Sequence, residues 1–471
     1  MTRSIVREIL RLGWPVFIGQ IAVMANGVID TLMAGRYSTV DLAAVGIGAA
    51  IYISVFIAMM GVLLALTPIA SQLYGAGRYA EIGEEVRQCA WLSLALGVAC
   101  FFALWYPEPF FAITRLQSEV EEKTRAYLAA ASWGVPAALL FRVFYGFSNA
   151  VSRPRMVMAL NLIGLALKVP LNWLLMYGMM GLPELGGVGC AISSTIIAWV
   201  TCVLGWFWCY LDRDNRRYGI FARFSRPRWK SQRHIIALGL PIGLTFFIDV
   251  TGFTFMALFI ARLGALNSAA HQIASNFAAL LFMLPLALGN AASVLVGQAI
   301  GARELARARK TALAGLVTGG CFALALAFAV WLTSQEIAGL YTVDPKVKSI
   351  AAGLLALVAA YHVFDAIQAI AANVLRGYKR ALVPMVIYAV ALWGVGLGGG
   401  YLLGFEGISF GPAIGLATRG AAMELAPMGA VMDLAPMGAR GFWLAAIASL
   451  ALAGVLVTGY LLRVSRPPAN R

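Results

Sequence analysis

Apolar and polar segments alternate regularly along the chain. Apolar runs of about twenty residues or more, the length that crosses the roughly 30 Å hydrocarbon core of a bilayer as a helix, are separated by short polar stretches. Six such runs fall in each half of the chain. The pattern therefore predicts twelve transmembrane helices, near residues 12–34, 43–72, 88–107, 126–150, 156–180, 187–211, 235–261, 268–300, 311–334, 349–375, 381–405 and 441–462.

The second half of the chain repeats the first. Residues 12–15 (Leu-Gly-Trp-Pro) return as residues 238–241 (Leu-Gly-Leu-Pro), and the same displacement of 226 positions aligns Gln72 with Gln298. Because each half has an even number of spans, both halves insert in the same orientation, and the repeat is expected to be parallel. The sequence therefore predicts an all-α membrane protein with two six-helix lobes, an architecture typical of transporters.

Polar connections divide the chain into two units. We assign an N-terminal lobe to residues 1–211, a cytoplasmic inter-lobe loop to 212–232 and a C-terminal lobe to 233–471. The second lobe carries an inserted external loop near 406–440, which contains a tandem nonapeptide at 422–439. Two interpretations of the nonapeptide stay open. It forms a mobile loop or short amphipathic turn, or it is a slipped duplication without function.

Composition and charge agree with a membrane location. Hydrophobic residues make up 61% of the chain and charged residues only 12%, which excludes an ordinary soluble globular protein. The net charge of +15 arises mainly from Lys and Arg in loops on the side of the N-terminus, namely Arg3, Arg7 and Arg11, and the segments 213–233, 303–310 and 376–380. This is the positive-inside pattern, so both termini are predicted to be cytoplasmic. The charge therefore requires no nucleic-acid partner.

Acidic residues inside the predicted spans are the strongest candidates for function. Asp249 lies about 21 Å along the seventh span and Asp365 is similarly central in the tenth, with Tyr361 one turn earlier on the same face. Asp30 lies in the outer part of the first span. A carboxylate at such depth costs several kcal/mol unless it meets water, a cation or a proton. The alternative is a carboxylate hydrogen-bonded to neighbours only to fix helix packing.

Two kinds of ion chemistry fit these residues. A desolvated carboxylate can carry a proton, and carboxylate oxygens with the Tyr361 hydroxyl and Asn276 could instead form an oxygen cage for Na⁺. Aromatic residues such as Phe253 offer cation–π faces to lipophilic cations. Lys168 is an intramembrane positive charge that either pairs with an acid such as Asp30 or extends to the interface.

Motifs for other activities are absent from the sequence. The three histidines form no HExxH or other metal-binding pattern, and no Walker A sequence is present. We therefore expect a protein that is not an enzyme and that needs no cofactor besides its coupling ion.

Four stretches resemble the diagnostic motifs of the multidrug and toxic compound extrusion (MATE) family, NorM-type branch. They are residues 27–35, 170–173, 269–273 and 375–379. The resemblance implies twelve helices in two lobes that expel cationic amphipathic drugs or dyes in exchange for inward Na⁺ or H⁺, in a monomer of the bacterial inner membrane.

The resemblance also implies roles for individual residues. Asp249, Asp365 and Tyr361 match the coupling residues of the second lobe, with Na⁺ possible at all three, and Asp30 matches the first-helix acid. Gln272 and Asp344 fall where family members line the outward-facing cavity, and Phe253 and Asn172 complete the candidate substrate contacts. Two residues depart from the family pattern. Asp249 replaces the usual glutamate, which favours a proton over Na⁺ because Na⁺ needs closely fixed ligand distances, and Lys168 replaces a neutral residue.

Two rival functions share part of this pattern. A flippase for lipid-linked oligosaccharides of the same superfamily would have the same architecture but should carry several cationic residues in its central cavity to hold pyrophosphate. An intramembrane aspartyl protease could use two buried aspartates, but neither Asp249 nor Asp365 lies in a GxGD sequence.

Overall fold

The computed structural model describes residues 2–114, 116–406, 408–410, 432–434 and 436–466. These residues are almost entirely helical. The α-helices are α1 (Thr2–Tyr37), α2 (Thr39–Leu63), α3 (Leu66–Gly75), α4 (Tyr79–Trp105), α5 (Glu108–Thr114), α6 (Ser118–Ser132), α7 (Val135–Ala150), α8 (Pro154–Met176), α9 (Gly187–Leu211), α10 (Trp229–Ala261), α11 (Ala265–Gly301), α12 (Leu305–Leu332), α13 (Ser334–Tyr341), α14 (Pro345–Gly377), α15 (Leu382–Ala389), α16 (Gly399–Tyr401) and α17 (Ala439–Val464).

Shorter elements complete the chain. They are 3₁₀ turns at Met179–Gly181 and Arg213–Tyr218, π-helical segments at Val390–Gly398 and Leu402–Glu406, and two strands, β1 (Ile408–Phe410) and β2 (Met432–Leu434). The strands pair antiparallel, with Ser409 opposite Asp433. Residues 422–431 and 435 of the tandem nonapeptide lie outside the described residues. Both interpretations of that repeat therefore stay open.

The helices account for the predicted membrane spans. By length and apolar composition, the described residues contain eleven candidate spans, or twelve when the bent pair α6–α7 counts as one. This confirms the predicted all-α fold with twelve spans. The eleventh span departs from regular α-helix, since α15 continues into the π-helical segments and the short α16.

Prolines lie just after the two points where predicted spans are broken. The second span divides into α2 and α3 at Leu64 and Ala65, because Pro68 lacks the N–H that would bond to the carbonyl of residue 64. The fourth span bends by 46° between α6 and α7, where Pro136 likewise removes a bond to residue 132. The equivalent helices of the second half, α11 and α14, are continuous. The two lobes therefore share a topology but differ in helix shape.

Close contacts between the lobes follow the internal repeat. A Cβ added at Gly13 of α1 would lie 3.1 Å from Leu288 of α11. The position 226 residues later, Gly239 of α10, approaches Val62 of α2 so closely that a Cβ there would overlap its backbone. Val62 and Leu288 are themselves 226 positions apart. One pseudo-twofold axis therefore relates both contacts. With six spans in each half, the two halves run in the same direction through the membrane, so the repeat is parallel, as predicted.

Glutamine hydrogen bonds repeat the same symmetry. Gln72 Nε2 donates to the carbonyl oxygen of Gly377 at 2.8 Å, and Gln298 Nε2 donates to the carbonyl oxygen of Ala150 at 2.8 Å. Each bond joins one lobe to the other. Both lie toward the end of the molecule that carries the N-terminus, which we call the basic face because it bears Arg3, Arg7, Arg11 and the segments 213–233 and 303–310.

Several positions of α10 and α11 away from the basic face are exposed. On α10, buried Gly243 is followed along the same face by the exposed residues Phe247 and Thr254. On α11, the side chains of Leu280, Asn276 and Gln272 are exposed. The contacts of Gly13, Gly239, Gln72 and Gln298 between the lobes, in contrast, lie toward the basic face.

Candidate functional site

Asp249 and Asp365 line one small cavity inside the C-terminal lobe. Asp249 is partly buried on α10, and Asp365 is 5% exposed on α14. Both helices cross the membrane region, and each carboxylate lies near the middle of its helix. The structure therefore brings together the two acids that the sequence analysis placed at mid-membrane depth.

The size of this cavity restricts what it can hold. Its volume is about 30 Å³, more than the roughly 10–15 Å³ that a cavity needs to hold one water molecule. Pockets that bind drug-sized ligands have volumes of about 300–1,000 Å³. The cavity can therefore accept a proton on a carboxylate, a water molecule or a small cation, but not a drug.

Tyr388 of α15 completes the acidic cavity. Its hydroxyl donates a hydrogen bond of 2.5 Å to Asp249 Oδ1. Thr245, Gln368 and Asn373 add further polar groups to the lining. Tyr388 was not among the residues predicted from the sequence. A tyrosine in an apolar span needs a hydrogen-bond partner for its hydroxyl, and that requirement is the signal that could have found it.

A guanidinium also reaches this cavity. Arg376, near the C-terminal end of α14, is among the lining residues. Its Nη1 donates to Asn373 Oδ1 at 3.1 Å, and its Cζ lies 5.2 Å from the centre of the Phe246 ring. Among the described residues Arg376 forms no salt bridge with Asp249 or Asp365, since it lies eleven residues from Asp365, about 16 Å along α14. When ionised, the two carboxylates therefore favour a proton or a cation in the cavity.

Aromatic rings border the acids on the other side. Tyr361, one turn before Asp365, packs edge-on against Trp443 with centroids 5.4 Å apart and against Phe253 at 6.1 Å. His271 lies 5.8 Å from Trp443. Tyr361 and Phe253 are absent from the residues that line the small cavity. In the part of the chain that the structure describes, they therefore form a wall beside the acids, while Tyr388 makes the direct contact with Asp249.

Asp30 lies in a separate polar network within the N-terminal lobe. Lys168 Nζ is 2.9 Å from Asp30 Oδ1, and the lysine side chain is only 1% exposed. Asn172 Nδ2 donates to the same carboxylate oxygen at 2.7 Å. Lys168 therefore pairs with Asp30 and does not extend to the interface. Asn172 is fully buried, so its amide is occupied by these partners inside the lobe.

The remaining predicted site residues lie elsewhere. Gln272 and Asn276 are exposed on α11, and Asn276 is not part of the acidic cavity lining. Asp344 is exposed and caps the N-terminus of α14, where its Oδ1 accepts hydrogen bonds from the N–H groups of Lys346 and Val347. Among the described residues, no three His, Cys, Asp or Glu side chains form a metal-binding group. A cation in the acidic cavity would therefore depend on neutral oxygens beside the two acids.

Comparison with known proteins identifies the family. The MatE family profile matches residues 15–174 and 241–402, which cover most of both lobes. The chain belongs to the MATE family of transporters. A protein of Aromatoleum aromaticum described as "Probable multidrug resistance protein NorM" is 40% identical to this MATE chain, and the match covers 99% of the chain and 96% of the relative.

Further relatives and solved structures agree. "Multidrug resistance protein NorM" of Aliivibrio fischeri is 34% identical, with 99% of this chain and 96% of the relative covered. A structure described as an "Outward-facing conformation of a multidrug resistance MATE family transporter of the MOP superfamily" matches with a TM-score of 0.85 at 18% identity, over 98% of this chain and 96% of that one. The crystal structure of the eukaryotic MATE transporter AtDTX14 matches at 0.84 and 17%, with the same coverage. The MATE chain is therefore of the NorM type and has the MATE fold.

Proposed function

We propose that this MATE chain is a multidrug efflux antiporter that exports cationic amphipathic compounds in exchange for inward H⁺ or Na⁺. The observation that carries the proposal is the cavity shared by Asp249 and Asp365. It is too small for a drug and carries the charge that a coupling ion would neutralise. Relatives with 34–40% identity named as multidrug resistance proteins support the substrate class.

We propose that the substrate occupies a cleft between the lobes on the side opposite the basic face. The exposed residues of α10 and α11 there combine apolar side chains such as Phe247 and Leu280 with the amides of Gln272 and Asn276, a mixture suited to amphipathic molecules. In the proposed cycle the substrate leaves through this cleft. A proton or cation then enters the acidic cavity of the C-terminal lobe and favours the conformation that opens to the basic face.

Orientation follows from charge. The basic face carries Arg3, Arg7, Arg11 and the Arg-rich segment 213–233, so the positive-inside rule places it in the cytoplasm. Both termini are then cytoplasmic and the cleft faces outward. The bacterial relatives support a location in the bacterial inner membrane. Because one chain supplies both lobes, we propose that a monomer in the lipid bilayer is the functional unit.

Between the two ions, the side chain at position 249 favours the proton. An aspartate reaches one methylene less far than the glutamate that the family usually has, and a Na⁺ cage depends on ligand distance more strongly than protonation does. The hydrogen bond from Tyr388 to Asp249 Oδ1 also occupies one carboxylate oxygen. We therefore propose H⁺ as the main coupling ion.

Efflux of a lipophilic cationic dye, measured in inverted vesicles or proteoliposomes, tests the proposal. Asp249→Asn and Asp365→Asn should each reduce gradient-driven efflux to the background of empty vesicles, because neither amide can exchange a proton or neutralise a cation. Glu336→Gln is the matched control, since this exposed residue of α13 undergoes the same carboxyl-to-amide change. Retained efflux in both aspartate variants would refute the coupling role.

The same assay separates the ions. With H⁺ coupling, efflux should persist in sodium-free buffer, collapse when the pH gradient is dissipated and survive Tyr361→Phe. Efflux that requires Na⁺ at every pH, and that Tyr361→Phe weakens, would assign Na⁺ instead.

A further inference from the structure

Lys168 has the surroundings of a bound cation. Its Nζ lies 2.5 Å from Ser194 Oγ and 3.2 Å from Ser193 Oγ. It also lies 3.3 Å from the carbonyl oxygen of Cys190 and 2.9 Å from Asp30 Oδ1. One carboxylate, two hydroxyls and one carbonyl thus surround a single ammonium. Such a set of oxygens is also the kind that small hard cations bind in proteins.

Three helices build this oxygen shell. Asp30 comes from α1, Lys168 from α8, and the two serines with the Cys190 carbonyl from the first turns of α9. Asn172, one turn after Lys168, donates to Asp30 and accepts from Ser193, so it fixes two of the ammonium's neighbours. The ammonium is therefore held by polar groups from three helices and does not simply lie against an apolar surface.

Because both groups are buried, the charge of Lys168 and the charge of Asp30 stabilise each other. Lys168 is 1% exposed and Asp30 is 8% exposed, so either charge alone would lie unpaired in a medium with little water. Removing one partner of a buried ion pair is strongly destabilising, whereas removing both charges together is often tolerated. The negative charge of Asp30 is thus compensated by Lys168 of the same chain.

The C-terminal lobe differs at this point. Its cavity has room for water or a small ion beside two carboxylates, and neither carboxylate pairs with a basic residue among the described residues. The pseudo-equivalent of Asp30, 226 positions later, is Met256. Each lobe therefore has its own polar site, and only the site of the C-terminal lobe combines a free volume with an uncompensated charge.

We propose that the Lys168 ammonium is a tethered cation that permanently fills the acidic site of the N-terminal lobe. Asp30 is consequently closed to H⁺, Na⁺ and cationic substrates, and all ion coupling takes place in the C-terminal lobe. The assignment of ion coupling to the C-terminal lobe rests on the proposed function, whereas the filling of the N-terminal site by Lys168 does not. Lys168 acts as a positioning residue that holds α1, α8 and α9 together through Asp30.

Chemical rescue tests this inference on the purified full-length protein. Lys168→Ala removes the tether and leaves a space for a small ammonium ion. Added n-propylammonium should raise the melting temperature of Lys168→Ala in a saturable manner and should have no effect on the wild type. The neutral alcohol n-propanol, of similar size, should not replace it. Lys168→Ala/Asp30→Asn lacks the carboxylate and should show no response to n-propylammonium.

The double variant also covers the case in which Lys168→Ala does not fold. Because it removes both buried charges, Lys168→Ala/Asp30→Asn should fold and retain efflux that still depends on Asp365. A folded double variant without efflux would show that Asp30 takes part in coupling and would overturn the proposal. An equal response of the wild type to n-propylammonium, or none in folded Lys168→Ala, would overturn it as well.

The melting measurements need no transport and therefore stay informative if the proposed efflux function fails. In that case the wild type would show no dye efflux under any gradient, whereas the response of Lys168→Ala to n-propylammonium would still decide whether the site takes a cation.

Discussion

Single side chains decide how the two buried acidic sites differ. In the C-terminal lobe, Asp249 is stabilised by one hydroxyl, that of Tyr388, and shares its cavity with Asp365. In the N-terminal lobe, Asp30 meets a full ammonium from Lys168. A neutral donor leaves a carboxylate able to gain and lose a proton or cation, whereas a buried ammonium compensates its charge continuously. Two acids inside the spans can therefore have different roles.

Tyr388→Phe tests the contribution of the neutral donor. A hydrogen bond to a charged group contributes about 1.5–3 kcal/mol, so its loss makes the ionised form of Asp249 less favourable by that amount. The state of the protein without a bound proton or cation is then less populated. Dye efflux should therefore slow about tenfold or more while the protein remains folded. Tyr401→Phe is the control, because Tyr401 packs against Phe259 and Phe405, outside the acidic cavity. Wild-type efflux in Tyr388→Phe would exclude the bond from coupling.

Glycines determine how closely individual helices approach. Gly61 of α2 faces Gly243 of α10 so closely that a Cβ on Gly61 would overlap the Gly243 backbone. In the eleventh span, a Cβ on Gly396 would lie 3.1 Å from Ser449 Oγ of α17. Small residues at such points let helices pack by van der Waals contact, which is a main source of helix association in lipid. The glycines therefore set the spacing of elements and not their secondary structure.

Gly61→Ala should destabilise the contact between α2 and α10. The added methyl group has no space, and overpacking of this kind costs about 1–3 kcal/mol. We expect a lower melting temperature in detergent and reduced efflux. Gly46→Ala, on the same helix, has no atom within 4 Å of the added Cβ and should be neutral or slightly stabilising. If both variants melt like the wild type, the close contact between the lobes is not required.

At the scale of the whole molecule, contacts toward the basic face join the two lobes. Gln72 and Gln298 each donate a hydrogen bond to the other lobe, while Gln272 and Asn276 of α11, farther from that face, are exposed. A transporter with this arrangement must break the contacts near the basic face to open on that side. The contacts therefore stabilise the conformation described here.

A disulfide across this interface should lock the protein. A Cβ at Gly297 of α11 would lie 3.1 Å from Ser71 Cβ of α3, slightly less than the separation of about 3.5–4.5 Å in disulfides. In a Cys321→Ser background, which removes the exposed native cysteine, oxidised Ser71→Cys/Gly297→Cys should lose efflux and regain it on reduction.

The matched control for this cross-link joins two helices of one lobe. A Cβ at Gly315 of α12 would lie 2.9 Å from Ala292 Cβ of α11, so Gly315→Cys/Ala292→Cys should tolerate oxidation without loss of efflux. Undiminished efflux in the fully cross-linked Ser71/Gly297 pair would contradict movement between the lobes.

The sequence by itself determined the fold class, the number of spans, the parallel repeat and the depth of the acids. These follow from requirements that lipid imposes on any chain: an apolar length near twenty residues and a high cost for charge inside the bilayer. Pro68 and Pro136 were visible in the sequence, but helices in membranes often tolerate proline. The break at α3 and the bend at α7 therefore appeared only in the structure.

Only the tertiary structure decided which polar groups share a site. In a membrane span the faces toward lipid and toward neighbouring helices are both apolar, so periodicity does not specify how each helix is rotated. For this reason the sequence could place Asp249 and Asp365 at one depth but could not find Tyr388, which lies 139 positions from Asp249. It also could not separate Asn276 from the acids, or choose between pairing and interfacial extension for Lys168. Packing of α1, α8 and α9 determined that Lys168 meets Asp30.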